Sequence, residues 1–220
     1  MRPALLILAL LTFAALWTGP LPEAARTAFW AHMTMHMGVV TLGAASLAFA
    51  MAGTRLDPVR KWPTLFPPIP LSLVELVVVW AWHAPALHHA ARHGAAWTVA
   101  EQASFLIAGF LVWISAFGGG EAGRPGRAGA GMAALLLTSM HMTLLGALLA
   151  LAPRPLYHHG TGAAHAHALS PLDDQHIGGA IMLLVGGIAY LAAGLALGVS
   201  LLRSSHRHQP NPRNQDRRCA

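Results

Sequence analysis

The sequence has a single cysteine, Cys219, next to the last of its 220 residues. A lone cysteine forms no disulfide within one chain and supplies no CxxC motif, so dithiol redox chemistry and multi-thiolate metal sites are excluded. Charged residues are also scarce, at 10% of the chain, against about a quarter in soluble domains. HExxH, GxSxG and Walker-type glycine motifs are all missing. These absences argue against a soluble globule and against an enzyme.

Long apolar runs, in contrast, recur along almost the whole chain, which is 55% hydrophobic. A helix needs about 20 apolar residues to cross the hydrocarbon core of a bilayer. Six runs are candidates for such spans: residues 4–17, 29–51, 71–87, 97–117, 132–152 and 177–202. The sequence therefore predicts an all-α, polytopic transmembrane helix bundle of about six helices over residues 1–202. The remaining residues, 203–220, are predicted to form a disordered, basic cytoplasmic tail.

The first run is also compatible with a secretory signal, because Arg2 is followed by about 14 apolar residues, the length of a signal h-region. No small-x-small cleavage site follows at the usual distance. We therefore predict that this helix is retained.

Basic residues set the predicted orientation, because Lys and Arg accumulate in cytoplasmic loops. With both termini in the cytoplasm, eleven basic residues fall inside: Arg2, Arg55, Arg60, Lys61, Arg124, Arg127, Arg203, Arg207, Arg213, Arg217 and Arg218. Only Arg26, Arg92 and Arg154 fall outside. The formal charge of +6 is then explained by attraction to anionic lipid at the inner leaflet, and it does not indicate nucleic-acid binding.

On this topology the fourteen histidines are strongly one-sided, since only His206 and His208 are cytoplasmic. The other twelve lie in the outer half: His32, His36, His83, His88, His89, His93, His141, His158, His159, His165, His167 and His176. Ionisable groups inside a bilayer are functional by default. The outer half of the bundle is therefore predicted to hold a site.

The densest motif is His-Met-Thr-Met-His-Met at residues 32–37. At about 100° per residue, His32, Met35 and His36 share one arc of a helix. Imidazole suits copper and zinc, whereas thioether selects the soft Cu(I) ion, so the mixture favours Cu(I). The alternative is a histidine pair hydrogen-bonded to lipid or to neighbouring helices, with the methionines as core filler.

Further candidates come from the other helices of the same half. The predicted metal ligands are His32, His36, His83, His141, His176 and Met35. The predicted supporting residues are Glu101, Gln102, Asp174, Gln175, Met33, Met140, Met142 and Met182.

Several of these residues also have structural interpretations. Glu101 is an acid in the first turn of a helix, where the macrodipole favours it. His141 could tie helices together, because a buried imidazole needs a partner. Ser170, followed by Pro171 and Asp173, predicts a capped helix start. The four histidines between residues 158 and 167 are either a loose metal-capturing tract or an ordinary surface loop.

Four stretches of the chain resemble the CtaG-type cytochrome c oxidase assembly factors: HMTMHM at 32–37, WHAPAL at 82–87 with AEQASFLIAGFLVW at 100–113, HMTLLGALLALAPRPLY at 141–157, and LSPLDDQHIGGAIM at 169–182. The resemblance implies a multi-pass protein of a bacterial-type inner membrane. It implies support for maturation of a haem–copper oxidase, with Cu(I) bound or delivered at the outer face. Oxidase subunits and a copper donor protein are the implied partners.

Carried over residue by residue, the resemblance assigns the family's histidines to His32, His36, His83 and His141, and its DQ motif to Asp174 and Gln175. Gln102 stands where relatives commonly have histidine, and relatives often have one more helix.

Two other functions remain open from the residues alone. A haem-binding membrane cytochrome would use histidines on facing helices, such as His83 and His141, as axial ligands. A copper or proton transporter would need ionisable residues that continue to the inner face, where Glu75 is the only acid in a predicted span.

Overall fold

The computed structural model of the chain describes residues 1–120, 124–157 and 169–207. Within these ranges every regular element is a helix. Five helical segments are long and apolar enough to cross a membrane: Phe29–Met51, Pro63–His83, Ala95–Phe117, Gly126–Ala150 and Pro171–Arg203. A bent pair, Pro3–Thr18 and Leu21–Thr27 at 50° to each other, gives a sixth candidate. The predicted all-α, polytopic architecture is confirmed.

The helices are numbered along the chain: α1 Pro3–Thr18, α2 Leu21–Thr27, α3 Phe29–Met37, α4 Ala44–Met51, α5 Pro58–Lys61, α6 Pro68–His83, α7 Pro85–His93, α8 Ala95–Phe117, α9 Arg124–Ala150, α10 Pro171–Ile181 and α11 Gly187–Arg207. A short 3-10 turn, Pro63–Leu65, precedes α6. Two π-helical turns join α3 to α4 and α10 to α11 within continuous spans: Gly38–Gly43 and Met182–Gly186. The first π-turn is tied to α8, because the Trp113 indole donates to the Val40 carbonyl at 2.9 Å.

The third predicted span, 71–87, is divided in the structure. Helix α6 ends at His83, Ala84 adopts an extended backbone, and α7 begins at Pro85. A residue before proline is pushed out of the helical region by the proline ring, which accounts for the break. The His-Ala-Pro sequence thus separates two helices, and α7 is free to fold over α8, against which it packs.

Other boundaries follow local signals. Helix α10 starts as predicted: the Ser170 hydroxyl accepts from the Asp173 N–H at 3.1 Å, and Pro171 is the first helical residue. Helix α9 begins at Arg124, eight residues before the predicted run at Met132. The apolar pattern did not indicate these residues, because the first turns of α9 are rich in glycine and alanine and carry a weaker apolar signal. Helix α11 runs to Arg207. The rest of the predicted tail, residues 208–220, lies outside the described residues.

Helix α9 packs against α6, α8, α10 and α11. Glycines bring α9 and α10 into backbone contact. A Cβ added at Gly146 would lie 2.6 Å from the Leu183 nitrogen, and one at Gly179 would lie 2.4 Å from the Ala150 nitrogen. Small residues at helix crossings allow such close approach in membrane proteins. This contact fixes the position of α10, whose first turn carries Asp174 and Gln175.

The bundle has two chemically different ends. The histidine end comprises the starts of α3, α8 and α10, the end of α6, and α7. The arginine end, at the other ends of these helices, carries Arg2, Arg60 and Arg127. Buried aromatic and methionine side chains fill the space between the two ends. The sequence prediction that the histidine end faces outward rests on the loop charges.

Candidate metal centre

His32 and His36 form the first part of the site because a spacing of four residues places both on one face of α3. Both side chains are fully buried. Their rings are nearly parallel, with an interplanar angle of 11° and centroids 6.4 Å apart. The sequence prediction that these two imidazoles point the same way is confirmed.

His83, the last residue of α6, completes a triangle with them. Its ring centroid lies 5.9 Å from that of His32 and 5.4 Å from that of His36. Its Nδ1 lies 2.6 Å from the Val79 carbonyl. A carbonyl only accepts, so Nδ1 carries the proton and Nε2 keeps a lone pair. Metal-binding histidines are commonly held in one tautomer by such a bond.

Helix α7 brings in two further residues, His88 and Arg92, which are one turn apart. The His88 ring meets the His32 ring edge-on at 4.9 Å. Nitrogen atoms of His32 and His88 and a carboxylate oxygen of Glu101 all lie within 4.8 Å of one another. Three such donors, converging from α3, α7 and α8, could hold one metal ion.

Glu101 is the only carboxylate of this group, and it is fully buried. Its Oε2 accepts from the Arg92 guanidinium and lies 3.8 Å from His32 Nδ1. Arg92 also donates to the Ala25 carbonyl at 3.0 Å, which ties α7 to α2. We call His32, His36, His83, His88 and Glu101 the histidine cluster. Arg92, the partner of Glu101 in the buried ion pair, lies at its edge.

The histidine cluster contains buried nitrogen atoms that no described group satisfies. Among the residues that the structure describes, both ring nitrogens of His32 and of His36 have no hydrogen-bond partner, and neither does His83 Nε2. Buried polar atoms in native proteins almost always have partners, and an exception calls for an ion, a water or another ligand. Imidazole nitrogens are suitable ligands for copper and zinc. The donor set thus fits copper or zinc, and it does not by itself select Cu(I), because the cluster includes no thioether.

His141 on α9 is also buried, and its two ring nitrogens have no hydrogen-bond partner among the described residues. It lies within electrostatic range of His36. Within the described residues, His141 makes no hydrogen bond that would tie two helices together. His141 is therefore available to the same group of imidazoles.

The predicted methionines are distributed differently. Met33, Met142 and Met182 are buried in the main core. Met35 is buried in a separate cluster with Ala25 and Ala31. Met140 is 64% exposed. The burial of Met33, Met35, Met142 and Met182 among apolar side chains supports the core-filler interpretation, whereas the exposed Met140 does not fill the core.

The polar residues at the start of α10 bond to backbone groups. Asp174 accepts from the Phe29 and Trp30 N–H groups at 2.7 and 2.8 Å, which caps α3 from another helix. Gln175 accepts from the Leu156 N–H at 2.6 Å and donates to the Leu149 carbonyl. His176 Nε2 bonds the Ala152 carbonyl at 2.9 Å. These residues position α3 and the segment after α9, and none of them joins the histidine cluster in the structure.

Gln102 bridges other parts of the same end. Its amide donates to Glu101 at 3.2 Å, and its oxygen accepts from the Trp17 indole at 3.3 Å. It bonds to the carboxylate and connects it to α1.

Tyr157 covers the cluster from the segment after α9. Its ring stacks on Phe29 with centroids 4.5 Å apart and lies 4.3 Å from the His88 ring. Its hydroxyl donates to the His83 carbonyl at 2.7 Å, the carbonyl that ends α6. Burial raises the pKa of the Tyr157 hydroxyl, so it stays a neutral donor.

Sequence reasoning missed His88, Arg92 and Tyr157 as site residues. His88 and Arg92 had a usable signal, since they stand four apart directly after a His-Ala-Pro helix break. Tyr157 lies in the Pro-Arg-Pro-Leu-Tyr stretch that carried the family resemblance, but nothing local to it indicates a contact with α6. The loop histidines His158, His159, His165 and His167 lie outside the described residues.

Residues 1–204 match a family model described as cytochrome c oxidase caa3 assembly factor. No curated protein and no solved structure matches the chain. The resemblance identified from the four sequence stretches is thereby confirmed over nearly the whole chain.

Proposed function

Because the chain belongs to the cytochrome c oxidase caa3 assembly factor family, we propose that it holds Cu(I) at the histidine cluster and passes it to the copper centre of that oxidase. In this role copper is a cargo. The oxidase subunits that receive the ion and a copper donor protein are the expected partners. The histidine end is expected to face outward from a bacterial-type inner membrane, as the loop charges predict.

The observation that carries this proposal is the set of buried ring nitrogens without partners on His32, His36 and His83. Leaving a polar group unsatisfied away from water costs at least about 1–3 kcal/mol, and several such groups within one cluster add up. A metal ion that accepts their lone pairs removes this cost. Among divalent ions, nitrogen sites bind copper more tightly than zinc, and Cu(I) tolerates the few, neutral donors that imidazoles supply.

Arg92 and Glu101 fit the cargo role electrostatically. Arg92 holds Glu101 through Oε2, whereas Glu101 Oε1 has no hydrogen-bond partner among the described residues, so the carboxylate can still offer an anionic oxygen to a bound cation. The Arg92 bond to Ala25 and the Tyr157 bond to the His83 carbonyl hold the surrounding elements in place. Both contacts lie at the histidine end, where a partner protein would approach.

Packing around the rings argues against the haem-binding alternative. The His36 ring lies on Phe105 with centroids 3.9 Å apart. The centroids of adjacent imidazole rings within the cluster lie 4.9–6.4 Å from one another. A porphyrin is much wider than these gaps. Phe105 and neighbouring side chains would have to leave the core to admit one.

The transporter alternative finds little support at Glu75. Its Oε1 accepts from the Tyr190 hydroxyl at 2.7 Å, and its Oε2 accepts from Thr138 at 3.1 Å. Three helices, α6, α9 and α11, meet in this network. The bonding favours a structural tie between helices.

Copper binding is tested by titrating the purified protein with Cu(I) under anaerobic conditions against a competing chelator. The wild type is expected to bind tightly, and the His32→Leu/His36→Leu variant is expected to lose this binding. Leucine fills a similar buried volume, so the variant should keep its thermal stability in the absence of copper. His89→Ala is the matched control, because His89 is exposed on α7 beside His88. Equal copper stoichiometry in the wild type and the double variant would show that these two histidines are not ligands.

The assembly role is tested in cells. A strain that lacks the gene is expected to lose caa3 oxidase activity and to recover it when excess copper is supplied. Expression of the wild type should restore activity at ordinary copper, whereas the His32→Leu/His36→Leu variant should not, with His89→Ala again as control. Full oxidase activity in the deletion strain would contradict the role in assembly, and activity restored by the double variant would contradict the copper step alone.

A further inference from the structure

A cavity of about 1000 Å³ opens at the arginine end of the bundle, far from the histidine cluster. It lies between the ends of α4, α8 and α11 and the starts of α1 and α9. None of the residues that line this cavity belongs to the histidine cluster. Its lining combines guanidinium groups with apolar side chains.

Three arginines supply the polar part of the lining: Arg2, Arg60 and Arg127. Each donates to a backbone carbonyl, respectively that of Phe49 at 3.3 Å, Gly53 at 3.1 Å and Phe66 at 3.2 Å. Such bonds fix the direction of a guanidinium without neutralising its charge. Within residues 1–120, 124–157 and 169–207, no ion pair joins these arginines to a carboxylate.

Among the residues that the structure describes, Asp57 is the acidic residue that contacts this lining, and its oxygens are occupied. It accepts from the N–H groups of Gly53 at 2.7 Å, Val59 at 2.9 Å and Gly119 at 2.8 Å, and it is fully buried. The carboxylate thus holds the turn after α4 against the end of α8. Counted over the described side chains, the lining keeps an excess of positive charge.

Apolar side chains supply the rest of the lining: Phe49, Phe117, Leu197 and Leu201. Guanidinium groups recognise phosphate through several donors at once, while an apolar wall favours hydrocarbon. Basic pockets between transmembrane helices are typical binding sites for anionic lipid head groups. The two parts of the lining therefore match the two parts of one amphiphile.

We propose that this cavity binds one molecule of an anionic phospholipid. Its phosphate group contacts Arg2, Arg60 and Arg127, and the upper part of an acyl chain lies along Phe117 and Leu197. The site links the start of α1 to α4, α8, α9 and α11 through the lipid, so bound lipid stabilises the bundle. In the predicted orientation this end meets the inner leaflet, where anionic lipid is available.

The test uses the purified full-length protein in mild detergent with three probes: phosphatidylglycerol, phosphatidylcholine and free glycerol 3-phosphate. Native mass spectrometry is expected to show one retained phosphatidylglycerol, and the thermal midpoint should rise by at least about 3 °C with this lipid alone. Equal retention of phosphatidylcholine would overturn the charge-based proposal. A response to glycerol 3-phosphate as large as that to the lipid would overturn the amphiphile and leave a soluble phosphate site.

Two variants separate the cavity from general surface charge. Arg2→Gln/Arg60→Gln/Arg127→Gln removes the charges, and Ser200→Trp fills the cavity, which Ser200 lines, while it keeps all three arginines. Both are expected to lose the retained lipid and the thermal shift. Arg154→Gln, an exposed arginine at the histidine end, is the control and should keep both. Wild-type retention of phosphatidylglycerol by Ser200→Trp would overturn the proposal, because lipid would then be held outside the cavity.

Discussion

Replacing Arg92 with methionine is expected to lower the free energy of unfolding by about 3–5 kcal/mol, the cost of removing one partner from a buried ion pair. Glu101 is fully buried, its Oε2 depends on the Arg92 guanidinium, and its Oε1 has no hydrogen-bond partner. Methionine retains the length of the side chain but supplies no charge. The measurement is chemical or thermal unfolding of the purified protein in detergent.

The exposed pair Arg26–Glu23 provides a matched control for this prediction. Its side chains are 59% and 83% exposed, with a nitrogen–oxygen distance of 3.8 Å, and exposed pairs contribute at most about 1 kcal/mol. Arg26→Met should therefore change stability little. The double variant Arg92→Met/Glu101→Gln should recover most of the loss, because no unpaired charge remains. A loss for Arg92→Met no larger than that for Arg26→Met would contradict the proposed dependence of Glu101 on Arg92.

Gly146→Ala and Gly179→Ala are each expected to cost about 3 kcal/mol or more, at the upper end of what overpacking costs. The added methyl group would lie 2.6 Å and 2.4 Å, respectively, from a backbone nitrogen of the facing helix. Backbone cannot swing aside as a side chain does, so α9 and α10 must separate. Unfolding in detergent and the yield of monodisperse protein measure the effect.

Gly129→Ala in the same helix α9 is the control, because no heavy atom lies within 4 Å of a Cβ at that position. It should stabilise the protein by about 0.5–1 kcal/mol, since alanine loses less backbone entropy in a helix than glycine. If Gly146→Ala behaved like Gly129→Ala, the two helices would not be in the backbone contact described.

The sequence predicted the parts of the site that depend on a single helix. His32 and His36 share a face because their spacing matches one helical turn, and His83 was predicted near the outer end of the span 71–87, which the structure divides directly after it. His88 and Arg92 depend on how α7 turns after that break, which involves contacts with α2 and α8 rather than any local pattern. Their spacing of four indicates that they share one face of α7, but it does not indicate which neighbours that face meets.

The methionines and the acidic residues show a second limit. Met140 and Met142 are two residues apart and so point about 200° apart on a helix. Only Met142 faces the core, whereas the sequence offered both as supporting residues. Asp174 was predicted to support the site, and its oxygens instead cap α3, 145 residues earlier in the chain. A carboxylate next to a histidine-rich region has the same sequence signal in either role.

The π-helical turn Gly38–Gly43 lets the two halves of the α3–α4 span pack against different neighbours. A π-turn accommodates one residue more than an α-turn, an insertion that rotates everything beyond it by about 100°. Helix α3, before the turn, packs mainly against α2 and α10, and helix α4, after it, packs against α1 and α8. A span of uniform pitch would present one face to both sets of neighbours. The extra residue lets the histidine-bearing half and the other half of one span each align with its own neighbours.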